Sequence, residues 1–223
     1  MSLILRASHR VIVLVIACLS SSADFANETP IEPLAPTAQH HRISSLVTRF
    51  IEKSHYTRME VDDALSGQVL DMYIEALDGN KLYFLDSDIA RLQKYRNRID
   101  NMVVGASLDP VFEIFRVYQT RARARWNYAT TTQEQDQDFT IDESFAFDRE
   151  ELDWAGNKIE LDEIWRKRVK NDMLNLLLTD SSEEDSREKL RKRYARQSKR
   201  VDQVNSDDVF EIFMNAFART LDP

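Results

Sequence analysis

The sequence predicts an all-α protein: about six amphipathic helices packed as one irregular helical domain. Three observations predict it. Apolar residues recur at helical spacing in one stretch after another. The chain of 223 residues holds only 4 glycines and 5 prolines, and low glycine with periodic apolar spacing favours helices. Ser, Thr, Asp or Asn stands where most of the periodic stretches begin, as helix caps do.

The first residues read as a leader rather than as part of the fold. Arg6, His9 and Arg10 are basic, Val11 to Leu19 is apolar, and Ser20, Ser21, Ser22 and Ala23 are small. This is the order of a secretory signal peptide over residues 1–23, too short to span a bilayer. Cleavage after Ala23 puts Ser21 at the third position back; cleavage after Ala26 would put Asp24 there, which fits less well. Val15-Ile16-Ala17-Cys18 also has the form of a bacterial lipobox, in which Cys18 would become a lipidated first residue. The other reading of Cys18 is one more apolar leader residue. Cys18 is the only cysteine, so the body has no disulfide and no thiol chemistry.

Residues 24–36 form a linker holding Pro30, Pro33 and Pro36, and the helical domain is expected over 37–223. In the first helix Ile43, Leu46, Val47, Phe50 and Ile51 form the expected inward face, with Thr37 as one possible cap. The second starts near Asp62-Asp63, turns Leu65, Val69, Met72, Tyr73, Ala76 and Leu77 inward, and ends at Asp78-Gly79-Asn80. Gly67 inside it implies close packing. Leu82-Tyr83-Phe84-Leu85 reads as an extended connector buried between helices. A third helix, capped by Asp86 or Ser87, runs inward through Ile89, Leu92, Tyr95, Ile99, Met102 and Val103 to a stop at Gly105. Asp109-Pro110 opens the fourth, whose face is Phe112, Phe115, Tyr118, Ala122, Trp126 and Ala129.

A polar, acidic stretch follows. From Gln133 to Glu163 twelve acidic residues face only Arg149 and Lys158. Phe139, Ile141, Phe145 and Phe147 alternate, which predicts a short extended or hairpin arm near 139–147. The fifth helix, from about Ile159, turns Leu161, Ile164, Trp165, Val169, Met173, Leu176 and Leu177 inward. Ser182 and Asp185 resemble a capping box for a sixth, strongly charged helix. Between Ser181 and Arg200 eight bases face four acids, and docking of this basic face on the 133–163 arm is the expected use of its charge. The last stretch, from Ser206 as cap through Val209, Phe210, Phe213, Met214 and Phe217, is among the most apolar faces in the chain. Either the preceding helices cover it or a downstream part does.

Charge excludes one class of function. The net charge of −8 argues against general nucleic-acid binding. Arg121, Arg123 and Arg125 lie beside aromatics but point in different directions on a helix, so they read as a solvated face near acidic neighbours. His40, His41 and His55 form no metal motif, and a solvated or hydrogen-bonding role is expected for them. Asp136 and Asp138 lack the further spacing of a calcium loop. No nucleophile motif or phosphate loop is present, and no catalytic, metal or cofactor residue is assigned.

The stretch NSDDVFEIFMNAFARTLDP looks like the segment that ends the helical N-terminal region of the tail-specific (carboxy-terminal processing) proteases of Gram-negative bacteria. Lys53-Ser54-His55-Tyr56, Leu82 to Ile89 and Leu190-Arg191-Lys192-Arg193-Tyr194 agree in order and spacing, so the resemblance runs from about His40 to Pro223. It implies a PDZ module and a core with a Ser–Lys dyad beyond Pro223, so no residue here inherits a catalytic role. It also implies a periplasmic serine endopeptidase acting on envelope proteins, with this region helping to form a vault around the core and receiving protein substrates or an adaptor. The alternative is a standalone envelope interaction module that binds a partner through helical faces. A lipid-anchored adaptor is a further alternative, with membrane attachment only through Cys18. Uncovered aromatics on the 206–217 face would favour the protease fragment.

Overall fold

The computed structural model describes residues 34–54, 62–103, 107–179 and 182–221. Eight helices occur among them: α1 Ala38–Ser54, α2 Asp63–Asp78, α3 Asp86–Leu92, α4 Ile99–Val103, α5 Asp109–Thr132, α6 Lys158–Leu177, α7 Glu183–Gln203 and α8 Ser206–Arg219. The all-α class is as expected; the count of about six is low. The expected third helix is broken into α3 and α4 around a 3-10 turn at Gln93–Tyr95, although its inward residues Leu92, Tyr95, Ile99, Met102 and Val103 are all buried.

Two apolar cores share α5. At 24 residues this helix is about 36 Å long, enough to serve both. Its first half contributes Val111, Phe112, Ile114 and Phe115 to a core with α2, α4 and α8. Its second half contributes Ala122, Trp126 and Ala129 to a core with α6 and α7. In the second core Trp126 meets Trp165 edge-on at 4.9 Å and lies 5.8 Å from Tyr194. Such ring pairs add about 0.5–1.5 kcal/mol each beyond the burial itself. The Arg168 guanidinium lies over Trp165 and Trp126, 4.6 and 5.2 Å from their centroids.

The apolar face of α8 is covered. Val209, Phe210, Phe213, Ala216 and Phe217 are buried, and Tyr73 of α2 meets Phe213 edge-on at 5.4 Å. The preceding helices, not a downstream part, therefore take up this face. Its cap is Asn205 rather than Ser206: the Asn205 side chain accepts the Asp208 N–H at 3.0 Å, and Asp208 accepts the Asn205 N–H at 2.9 Å. Ser206 instead accepts the Ala35 N–H at 3.2 Å.

Helix α1 is rotated from the expected face. Its buried side is His40, Ser44, Thr48 and Ile51, while Leu46 and Phe50 are 64% and 69% exposed. The buried polar groups are all satisfied. Ser44 and Thr48 donate to the Val103 carbonyl at 2.8 and 3.1 Å, serving the C-terminal end of α4. The His40 Nδ1 accepts the Thr37 N–H at 3.1 Å, its Nε2 lies 2.7 Å from an Asp207 oxygen, and its ring stacks on Phe210 at 4.5 Å. The expected hydrogen-bonding role of His40 is thus seen. Thr37 caps α1 by accepting the His40 N–H at 3.3 Å. His55 and Gly105 lie outside the described residues.

The arginines of α5 are staples rather than a solvated face. Arg121 bonds Asp88 of α3 with two hydrogen bonds, Arg123 bonds Asp202 of α7, and Arg125, itself buried, bonds Asp162 of α6 at 2.5 Å. Alternate positions on a helix point in different directions, so three arginines reach three neighbouring elements. Gly67 of α2 allows the close approach of Arg96, since a Cβ there would lie 2.8 Å from its Nη1.

Candidate functional site: a groove between helix α2 and the acidic segment

The site grows from the end of α2. Asp78 is the last residue of that helix, and its buried carboxylate accepts the N–H groups of Leu82, Tyr83 and Phe84 at 2.7, 2.8 and 2.9 Å. This knot turns the chain back on itself through bends at Lys81, Leu82 and Tyr83, so the connector expected to be extended over 82–85 is extended only at Leu85. The turn passes through Lys81, whose φ of 52° is left-handed; Gly79, expected to break the helix, is right-handed at φ −57°. Burial pushes the Asp78 carboxyl up to about 6, against the opposing pull of the three backbone N–H groups and of Arg149.

The connector then meets the acidic segment. Leu85 pairs with Ala155 in an isolated parallel bridge, and Asp86 donates its N–H to the Ala155 carbonyl at 3.0 Å. No strand ladder forms among the described residues, so the arm is not a hairpin: 139–141 turn and 142–146 run without regular structure. It docks mainly on α6, not on α7 as its charge suggested. Glu143 lies between Arg166 and Lys170 of α6, and Arg166 followed by Lys170 pulls the Glu143 carboxyl down to about 2. From α7 Arg187 reaches the segment, bonding the Gln133 and Gln135 carbonyls and Asp136 at 2.5, 3.1 and 3.2 Å. Asp138 closes a local turn by accepting the Thr140 N–H at 2.9 Å. The sequence showed that acid and base would meet; it did not show which helix faces the arm.

Between α2 and this segment two depressions of about 240 and 460 Å³ adjoin. They share Glu75, Gly79 and Glu150. Ile74, Ile89 and Trp154 line the first, and Phe147, Asn80 and Asp148 line the second. Phe147 is 68% exposed and meets Phe145 edge-on at 5.2 Å. Asp71 at one end is already paired with Arg96 at 2.5 Å. The Lys81 ammonium is held by the Leu152 carbonyl at 2.5 Å and lies 5.7 Å from the Trp154 ring centroid. Glu75, Asp148 and Glu150 have no cation within ion-pair distance among the described residues. The result is an open trough lined by apolar and aromatic side chains and by the carboxylates of Glu75, Asp148 and Glu150, with the buried Asp78 at the first depression.

Sequence reasoning missed this groove. Phe147 read only as part of an alternating pattern, and nothing in the sequence singled out Glu75; the two come together only because the Asp78 knot folds the chain back. The assigned leader residues, Ala23 for cleavage and Cys18 for lipidation, lie outside the described residues.

Comparison with known proteins gives the family. The family described as "Tail specific protease N-terminal domain" matches residues 47–223. A tail-specific protease of Haemophilus influenzae is 33% identical over 213 residues, covering 92% of this chain and 31% of that relative. The chain therefore spans about a third of the relative's length. The chain belongs to the tail-specific protease family, as its N-terminal domain.

Proposed function

We propose that this chain is the helical substrate- or adaptor-handling domain of a periplasmic endopeptidase that processes the C-terminal tails of envelope proteins. Cleavage itself falls to a Ser–Lys core in the polypeptide that follows the region matched here. The observation that carries the reading is the family match across most of the chain. The groove beside α2 supports it, because an open apolar and acidic trough suits transient contact with polypeptide. The signal-peptide pattern ending at Ala23 supports export, with a soluble periplasmic product favoured over one tethered at Cys18.

The test is deletion of the gene followed by intact-mass analysis of envelope proteins. The expected result is that at least one of them accumulates with a longer C-terminus, and that restoring the gene shortens it. Unchanged C-termini would overturn the proposal. Fractionation of the same cells is expected to find the protein in the periplasm, with no palmitate label incorporated.

A further inference from the structure

We propose that the groove between α2 and the 147–154 segment binds an extended polypeptide carrying lysine or arginine beside apolar side chains. This rests on reading the domain as one that handles protein substrates, and it names the substrate class. Three features argue for that occupant. The first is charge. Glu75, Asp148 and Glu150 at the groove have no cation within ion-pair distance among the described residues, Asp71 is paired with Arg96, and Lys81 at the first depression is held by the Leu152 carbonyl, so acids outnumber bases along the lining. The surrounding 133–163 stretch has a large acidic excess, so the local field attracts cations and its pull fades within about a Debye length of 8–10 Å.

The second is the apolar lining. Ile74, Ile89 and Trp154 line one depression and the exposed Phe147 the other. A purely ionic ligand would leave these uncovered. A segment with alternating cationic and apolar side chains fills both kinds of surface, because successive side chains of an extended chain point to opposite sides. The third is shape. The two depressions adjoin at Gly79, which lines both, and where a Cβ would come within 3.2 Å of the Glu75 carbonyl. Glycine is not required there by the backbone, since φ is right-handed at −57°.

The test uses the full 223-residue chain and a fluorescently labelled peptide of repeated Lys-Leu-Ser, read by anisotropy. Saturable binding that weakens with salt is expected. Glu75→Lys combined with Glu150→Lys should weaken it at least about tenfold, and Phe147→Ser about three- to tenfold. All three side chains are exposed, so the variants should keep their circular dichroism and melting midpoint. A control pair with the same change in net charge, Glu184→Lys with Glu211→Lys, should leave affinity within about twofold. The proposal is overturned if the peptide does not bind, if the control pair weakens binding as much as the groove pair, or if a Lys-Gly-Ser peptide binds equally well. C-terminal processing in cells is a separate readout. If groove variants lose the peptide but processing continues unchanged, the groove assignment stands and the substrate-handling reading fails.

Discussion

Arg121 of α5 grips Asp88 of α3 through two hydrogen bonds, Nε to Oδ2 at 2.7 Å and Nη2 to Oδ1 at 3.0 Å. The Asp88 side chain is only 3% exposed. The same carboxylate accepts the Leu85 N–H at 3.1 Å, closing the first turn of α3 where the sequence suggested Asp86 or Ser87 as cap. One buried acid thus starts a helix and ties it to the longest helix of the fold. Arg121→Ala should cost about 3 kcal/mol, because it strands a buried charge with only Arg91 nearby. Arg121→Lys should cost less, about 1–2 kcal/mol, since an ammonium cannot reproduce the fork. Urea unfolding checks both.

The Asp78 carboxyl should titrate near 6, as read by carbon NMR of the labelled side chain. The folded protein takes up this proton near 6 and the unfolded chain near 3.8. Between those values the folded state binds more protons, so this group's contribution to stability rises as pH falls through 6 and levels off below 3.8. The full contribution is on the order of 3 kcal/mol. Asp78→Asn should remove that pH dependence from the difference between variant and wild type. Asp78→Ala should be far more damaging, since three backbone N–H groups lose their acceptor at about 1–3 kcal/mol for each one left buried.

On α1 the outward apolar residues should be dispensable for stability and the inward polar ones should not. Leu46→Ser and Phe50→Ser are expected to change unfolding free energy by less than about 0.5 kcal/mol. Ser44→Ala combined with Thr48→Val should cost about 1–3 kcal/mol, because the Val103 carbonyl loses both hydroxyl donors. The opposite ranking would contradict the rotated helix.

Trp165 donates its indole N–H to the Leu82 carbonyl at 2.6 Å, so one side chain of the second core anchors the connector. Trp165→Phe should cost about 1–2 kcal/mol for the stranded carbonyl and the lost ring area. Trp165→Ala should cost about 3–5 kcal/mol. Thermal unfolding followed by circular dichroism gives the comparison.

Glu143 should hold the acidic arm on α6. Its folded value near 2 lies below the ordinary 4.5, so the stabilisation is complete above 4.5 and is lost as pH falls towards 2. Glu143→Gln should raise the rate of limited proteolysis within 139–147 at neutral pH and abolish the acid-induced part of that rise. An unchanged cleavage rate at pH 7 would show that the arm is held by other contacts.

The helices that carry one unbroken apolar stripe were legible residue by residue: Phe112, Phe115, Ala122 and Trp126 on α5, Leu161, Trp165 and Val169 on α6, and Val209, Phe213 and Phe217 on α8 are all inward. Their periodicity is set by the 3.6-residue turn and needs no knowledge of neighbours. The class of the fold follows from that alone, and family membership follows from the order of the matching blocks. Helix α1 was misread because it has two plausible faces. Which one turns inward depends on whether a neighbour offers a hydrogen-bond acceptor, and the Val103 carbonyl, distant in sequence, does. Charge composition likewise announced that bases would meet acids, but an ion pair has no period along the chain. Only the packing of α3, α6 and α7 around α5 chose Asp88, Asp162 and Asp202 as the partners of three alternating arginines. The groove is tertiary for the same reason: Glu75, Phe147 and Glu150 are brought to one trough by a buried carboxylate at Asp78 that reverses the chain.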